Sequence, residues 1–164
     1  MPALEEKLVE YIDDAYAMEQ NVLRMLDGMI KTTKDAEMRR ALERHKDQTE
    51  KQAERLEERL AAHGASPSRT KEAGGMMAAL LKGVVDVARN DNPGRNARDG
   101  FATEHMEIAS YQLLERVARK AGDKETVAVA RRNREEEEAM ARKIASKWNK
   151  VVDLTLREEG IRTR

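Results

Sequence analysis

The sequence predicts an all-α protein, a bundle of four long helices arranged as two antiparallel hairpins joined by a crossover. Three observations predict it. Apolar residues recur at spacings of three and four through four stretches of about 27 residues. Gly64, the Asn90 to Gly94 break, Gly122 and Gly160 separate or close those stretches as helix-ending signals do. No strand-like alternation persists, and no unit of about 20 to 50 residues repeats.

The first helix is expected from about Pro2 to Lys31. Pro2 suits a first helical position, where a backbone N–H has no partner to lose. Leu8, Ile12, Ala15, Glu19, Val22 and Leu26 form one stripe, which Met29 continues. Thr32-Thr33-Lys34-Asp35 offers caps for the next start. The second helix runs from about Asp35 to His63, with Met38, Leu42, His45, Thr49, Gln52, Leu56 and Leu60 in its stripe. Three successive members, His45, Thr49 and Gln52, are polar. Residues Ala65 to Thr70 read as loop, and a shorter Met-rich helix is expected from about Lys71 to Arg89. The third long helix runs from about Arg95 to Ala121, with Phe101, Glu104, Ile108, Tyr111 and Leu114 facing inward. Asp123 can cap the fourth, which is expected to run unbroken from Lys124 to Glu159. Its stripe includes Val127, Ala130, Arg134, Glu137, Ala141 and Ile144, and Trp148 is expected to plug one end of the bundle. Each long helix spans roughly 40 Å. Short turns make the first and last pairs antiparallel hairpins, and the Gly64 to Gly94 segment is long enough to cross between them. That connectivity is the ferritin-like one, built here from residues 1–164 as one domain.

Composition narrows the function. Lys plus Arg and Asp plus Glu are 31 each. The charges are interleaved rather than blocked, which argues against a broad grip on nucleic acid. Cysteine is absent, so there is no disulfide framework, thiolate nucleophile or Cys-ligated metal. No apolar run approaches the length of about 20 residues that spans a bilayer. The start, Met1-Pro2-Ala3-Leu4-Glu5-Glu6, is acidic and unlike a signal peptide. A soluble cytoplasmic protein is expected.

The chemistry lies where the stripes are interrupted. The first helix has Glu19, the second His45, the third Glu104 and Glu107, and the fourth Glu137 with Glu136 at its edge. Burying unpaired carboxylates is costly, so such positions need a cation, a proton or a basic partner. A di-metal carboxylate site draws its acids and imidazoles from all four helices of a bundle. Carboxylate with imidazole suits iron or manganese. Each position also has a plainer reading. Glu19 alone fits an edge residue paired with an arginine, and His45 alone fits a satisfied core histidine. The run Glu135 to Glu138 is first a solvated face, from which the stripe selects Glu137. His63 and His105 look peripheral. Tyr11, Tyr16 and Tyr111 fit packing with a hydrogen-bonded hydroxyl, and the methionines fit core or interface filling.

The segment Glu104-His105-Met106-Glu107-Ile108-Ala109-Ser110-Tyr111 closely resembles the signature of the YciF/YciE-type ferritin-like proteins, bacterial stress-associated proteins. Asp14-Ala15-Tyr16-Ala17-Met18-Glu19-Gln20 and His45-Lys46-Asp47-Gln48-Thr49, followed by Gln52, Arg55 and Leu56, extend the likeness. With Glu135-Glu136-Glu137 it covers about Glu5 to Ile161. The resemblance implies a ferritin-like bundle, commonly dimeric, with a rubrerythrin-like di-metal site. The chain departs from that pattern at Gln48 and Ala141, where the family usually has acids. Arg134 stands on the inner stripe, where its guanidinium could pair with Glu104, Glu107 or Glu137 in place of a cation. The centre could therefore hold one metal, two metals, or a metal-free ion-pair network.

The leading expectation is a stress-associated protein holding iron or manganese at Glu19, His45, Glu104, Glu107 and Glu137, with peroxide or oxygen as substrates if it is redox-active. The rival is a metal-free homodimeric scaffold whose inner acids are neutralised by Arg134, His45 and lysines. An iron-storage cage ranks last. Enzymatic activity is left open.

Overall fold

The computed structural model describes residues 3–68 and 92–162, and no strand occurs among them. The helices are α1 (Leu4–Thr32), α2 (Ala36–Ala62), α3 (Pro93–Ala121), α4 (Lys124–Ala145) and α5 (Trp148–Glu158). Pro2 and the short helix expected at Lys71 to Arg89 lie outside the described residues. Among the described residues, no helix is long and apolar enough to cross a membrane.

The caps follow local chemistry. Asp35 accepts from Met38 N–H at 2.9 Å and starts α2. Asn92 accepts from Arg95 N–H at 2.9 Å, with Pro93 in the first turn, so α3 begins slightly before the expected Arg95. Asp123 accepts from both Glu125 and Thr126 N–H and starts α4. Gly64 and Gly122 follow α2 and α3 with φ of 69° and 77°, left-handed values that a side chain disfavours.

The four long helices form a ring in which α1 packs on α2 and α3, and α4 packs on α3 and α2. Antiparallel pairing across the ring is set by side chains. Glu19 meets Tyr111 while Met25 meets Thr103, so α1 and α3 run oppositely. Gln52 meets Glu137 while Arg59 meets Asp123, so α2 and α4 do too. The end of α2 and the start of α3 therefore lie at opposite ends, as the ferritin-like connectivity requires. The apolar core runs along α1 through Leu8, Ile12, Val22, Leu26 and Met29. Leu56, Leu60, Tyr111, Leu114 and Ala130 pack against it from the other three helices.

The fourth stretch corrects the expectation of one unbroken helix. It stops at Ala145 and resumes at Trp148. The Ser146 hydroxyl bonds Lys143 C=O at 2.7 Å, a local bond that competes with continued helix. The break lets α5 lie on α3, where Val151 is buried and Thr155 Oγ1 accepts from Gly94 N–H at 2.9 Å. Trp148 does not plug the bundle. It is 37% exposed and stands edge-on to Phe101, with ring centroids 5.5 Å apart.

Leu60 is fully buried, and Val152 on α5 is half exposed. Leu60→Ala is expected to cost about 2–5 kcal/mol in urea unfolding. Val152→Ala should stay within about 0.5 kcal/mol of the parent.

Candidate metal centre

At mid-height the bundle core turns acidic. α1 contributes Glu19, α2 His45, α3 Glu104 and Glu107, and α4 Glu137, and all five are buried. Glu104 and Glu107 both point inward because residues three apart share a helix face. Tyr111 and Leu114 continue that face and seat it against α1.

The donor atoms form two triads. His45, Glu104 and Glu137 make one, and Glu19, Glu107 and Glu137 make the other. Within each triad the atoms lie within 4.8 Å of one another, and Glu137 belongs to both. His45 Nε2 stands 3.0 Å from Glu104 Oε1 and 3.9 Å from Glu137 Oε2.

A polar shell fixes these groups. Tyr111 donates its hydroxyl proton to Glu19, and Asn133 Nδ2 donates to the Tyr111 oxygen at 3.0 Å. Gln52 Nε2 donates to Glu137, and to Glu136 at 3.2 Å. Arg55 grips Glu136 through two N–H groups at 2.8 and 3.1 Å and donates to Asn133 Oδ1 at 2.6 Å. A half-buried ion pair on the α2–α4 seam thus orients the amides that touch the centre.

Several buried atoms still lack a hydrogen-bond partner. Among them are one oxygen each of Glu19, Glu104 and Glu137, both oxygens of Glu107, both ring nitrogens of His45 and Oε1 of Gln52. Burial is the main cause that raises all four carboxyls above their ordinary value. Glu104 is pushed up to about 7, and Glu19 to about 8 with the Glu137 charge adding to burial. Glu137 is pushed up to about 9 by burial and by Glu104. Glu107 is driven well above its usual range by burial and three neighbouring acids. Tyr111 is also raised, by burial and then by Glu19. Hard oxygen donors with one imidazole fit a divalent cation, which would neutralise charge that the protein alone does not.

The structure brings together all five residues expected from the sequence. It excludes Arg134 from their company. That side chain turns outward to Glu115 at 2.8 Å and Glu138 at 3.3 Å. Asn133 takes the inner place, fully buried one turn before Glu137. Both residues satisfy a helical spacing from Glu137, and the smaller neutral one is cheaper to bury. Gln52 was visible as a polar interruption, but its bond to Glu137 needed the α2–α4 pairing. Ala141 is buried and offers no donor, whereas Gln48 is only half-buried. His63 pairs with Asp123 at 2.8 Å, and exposed His105 rests on Phe101. Tyr11 and Tyr16 pack against the core, as their plainer reading has it.

Fold and site together define a ferritin-like helical bundle with a buried carboxylate–histidine cluster. The chain belongs to the family described as a domain of unknown function, DUF892, which matches residues 3–157. It is 24% identical over 148 residues to Protein YciF of Escherichia coli strain K12, covering 85% of this chain and 86% of that protein. A solved protein of Xanthomonas campestris pv. campestris is 28% identical, with a TM-score of 0.82 over 97% of this chain and 100% of that one. YcfI of Rhodopseudomonas palustris is 26% identical, with a TM-score of 0.79 over 88% and 94%. The E. coli stress protein YciF, at 22% identity, shares the fold with a TM-score of 0.83 over 93% and 99%. The YciF-type resemblance carried by the third helix is borne out.

The raised carboxyls set a pH dependence for the metal-free chain. Folded, these groups hold protons up to about 7, 8 and 9, whereas unfolded they lose them near 4.5. Between those limits the folded state binds more protons, so stability falls as pH rises. With chelator present, the thermal midpoint is expected to drop steadily from pH 5 to about pH 9. Glu107→Gln should flatten that drop and raise metal-free stability at pH 8 by about 1–3 kcal/mol. A midpoint that rises over this interval contradicts the assignment.

Proposed function

We propose that this protein binds iron or manganese inside the bundle and serves in a stress response, by analogy with the E. coli stress protein YciF. One observation carries the metal reading. Two triads of buried donors share Glu137, and most of their atoms have no partner within the protein. His45, Glu104 and Glu137 would hold one ion, and Glu19, Glu107 and Glu137 the other. Glu137 would be a ligand common to both sites, and helical bundles support paired sites of this kind. Metal bound here supplies Lewis-acid chemistry and, with iron or manganese, redox chemistry toward oxygen or peroxide.

The chain's own residues do the rest. Tyr111 holds Glu19 in orientation and offers a proton at its hydroxyl. Gln52 steers Glu137 from the α2 side. On the side of Leu56, Leu60 and Leu114 the apolar layer beside the acids excludes water and strengthens each charge interaction. A homodimer in the cytoplasm completes this reading, consistent with balanced charge and the absence of cysteine.

A second reading has its own support. Gln52 and Tyr111 already donate to two of the four carboxylates. Protonation of the remaining acids leaves a metal-free scaffold that acts through a partner surface.

Elemental analysis separates the two. Protein purified without chelator or affinity-column metal is expected to carry about two iron or manganese ions per chain, with Glu104→Ala/Glu107→Ala near zero. Near-zero metal in the parent after anaerobic loading rejects the metal reading and leaves the scaffold. Metal should also reverse the Glu107→Gln effect. That variant gains stability in chelator but loses the metal-induced rise in thermal midpoint.

A further inference from the structure

The seam that α2 makes with α4 and the start of α5 is bonded at both ends and open between them. Toward one end Gln52 and Arg55 reach Glu136, and Arg59 reaches Asp123 at 3.1 Å. Toward the other, Glu37 binds Lys147 at 3.5 Å and Lys150 at 2.5 Å. Ala41 and Arg44 lie between these ties on α2, with Met140, Lys143 and Ile144 on α4. Among the described residues no hydrogen bond or ion pair joins these two groups. A cavity of about 120 Å³ opens at this gap. Met25, Met29, Met38, Leu42, Met140 and Ile144 are among the side chains lining it, and His45 and Glu104 lie at its buried end. Met38, Leu42, Met140 and Ile144 stay half-buried.

Size and charge decide what fits. An apolar cavity of about 150 Å³ takes one benzene-sized guest and stays dry without it. The space here is of that order but opens to solvent, so a guest can keep a polar head outside. Unbranched, polarizable methionines adapt to guests of different shape. At the mouth, Lys147 and Lys150 are taken up by Glu37, with Asp35 a further 3.4 Å partner of Lys150. Arg44 and Lys143 are exposed, line the same opening and carry no ion pair among the described residues. Two unneutralised cations beside an apolar hole select an anion with an apolar tail.

We propose that this cavity binds a small amphipathic monocarboxylate, its tail among the methionines and its carboxylate at Arg44 and Lys143. The inference is independent of metal in the centre, because no recognising group is among the acids that would hold it. The guest's tail ends beside His45 and Glu104, so occupancy also closes the route from solvent to that side of the centre.

Isothermal titration of the full-length protein in chelator tests the proposal, with octanoate as probe and octylammonium and octanol as comparators. One octanoate per chain is expected, bound about tenfold more tightly than octylammonium. Arg44→Gln/Lys143→Gln should weaken octanoate about fivefold, the effect of losing exposed ion pairs, and leave octanol within about twofold. Ala41→Phe, which fills the mouth, should abolish binding of all three. The Arg44→Gln/Lys143→Gln variant changes exposed side chains only, so it decides the matter even if Ala41→Phe fails to fold. Absence of saturable octanoate binding overturns the proposal. So does equal binding of octylammonium, or octanoate binding unchanged by loss of both cations. Chain association that hides the opening, seen by sedimentation with no octanoate bound, assigns this face to a second copy instead and equally overturns it.

Discussion

The structure depends on holding four carboxylates together out of water. Isolated, each would carry a desolvation cost of several kcal/mol. Their mutual repulsion adds to it, since Glu104, Glu107, Glu19 and Glu137 face one another across the axis. The bundle meets this with one imidazole, one phenol and one amide at the first contact, and with proton retention for the remainder. The phenol and the amide donate hydrogen bonds but carry no charge, and one imidazole stands against four acids. Arginine, the obvious counterion, stays one layer further out: Arg55 reaches the centre only through Asn133 and Gln52. Such a cavity is electrostatically incomplete, which is the condition that favours a divalent cation.

The surrounding packing follows from the same constraint. The acids occupy the waist, and the continuous apolar core along α1 extends to either side of them. Leu8 and Ile12 with Leu56, Leu60 and Leu114 anchor one half, and Met25, Leu26 and Met29 the other. The first half is edged by ion pairs from Arg59 to Asp123 and Glu125. The second half is the methionine-lined one, and it contains the opening in the α2–α4 seam. The two ends of one bundle thus differ in kind, one edged by ion pairs and the other leaving accessible apolar space beside His45 and Glu104.

Local bonds explain where sequence patterning misjudged the geometry. A period of three to four residues leaves two neighbouring positions able to claim the inner face, and Asn133 and Arg134 are such a pair. Desolvation cost decides between them, and it acts only when Glu115 is present on α3 to receive the guanidinium. The end of the fourth stretch is similar. Its apolar pattern continues past Ala145, and α5 still buries Val151. The pattern therefore persisted while the Ser146 hydroxyl broke the helix beneath it.

The four long helices, the hairpin turns, the caps at Asp35 and Asp123 and the five inner residues were legible in the chain alone. They rest on local chemistry: Asp35 and Asp123 cap through bonds to backbone two or three residues away, and stripe interruptions mark buried polar groups wherever the partner helix lies. Only the tertiary structure decided that Glu137 belongs to both triads, that Gln52 and Asn133 serve the centre, and that a cavity opens between Ala41 and Met140. Those features depend on the rotation of each helix about its own axis and on the pairing of α2 with α4, whose bonded residues stand 66 to 85 positions apart in the chain. Periodicity in one segment carries no information about that distance.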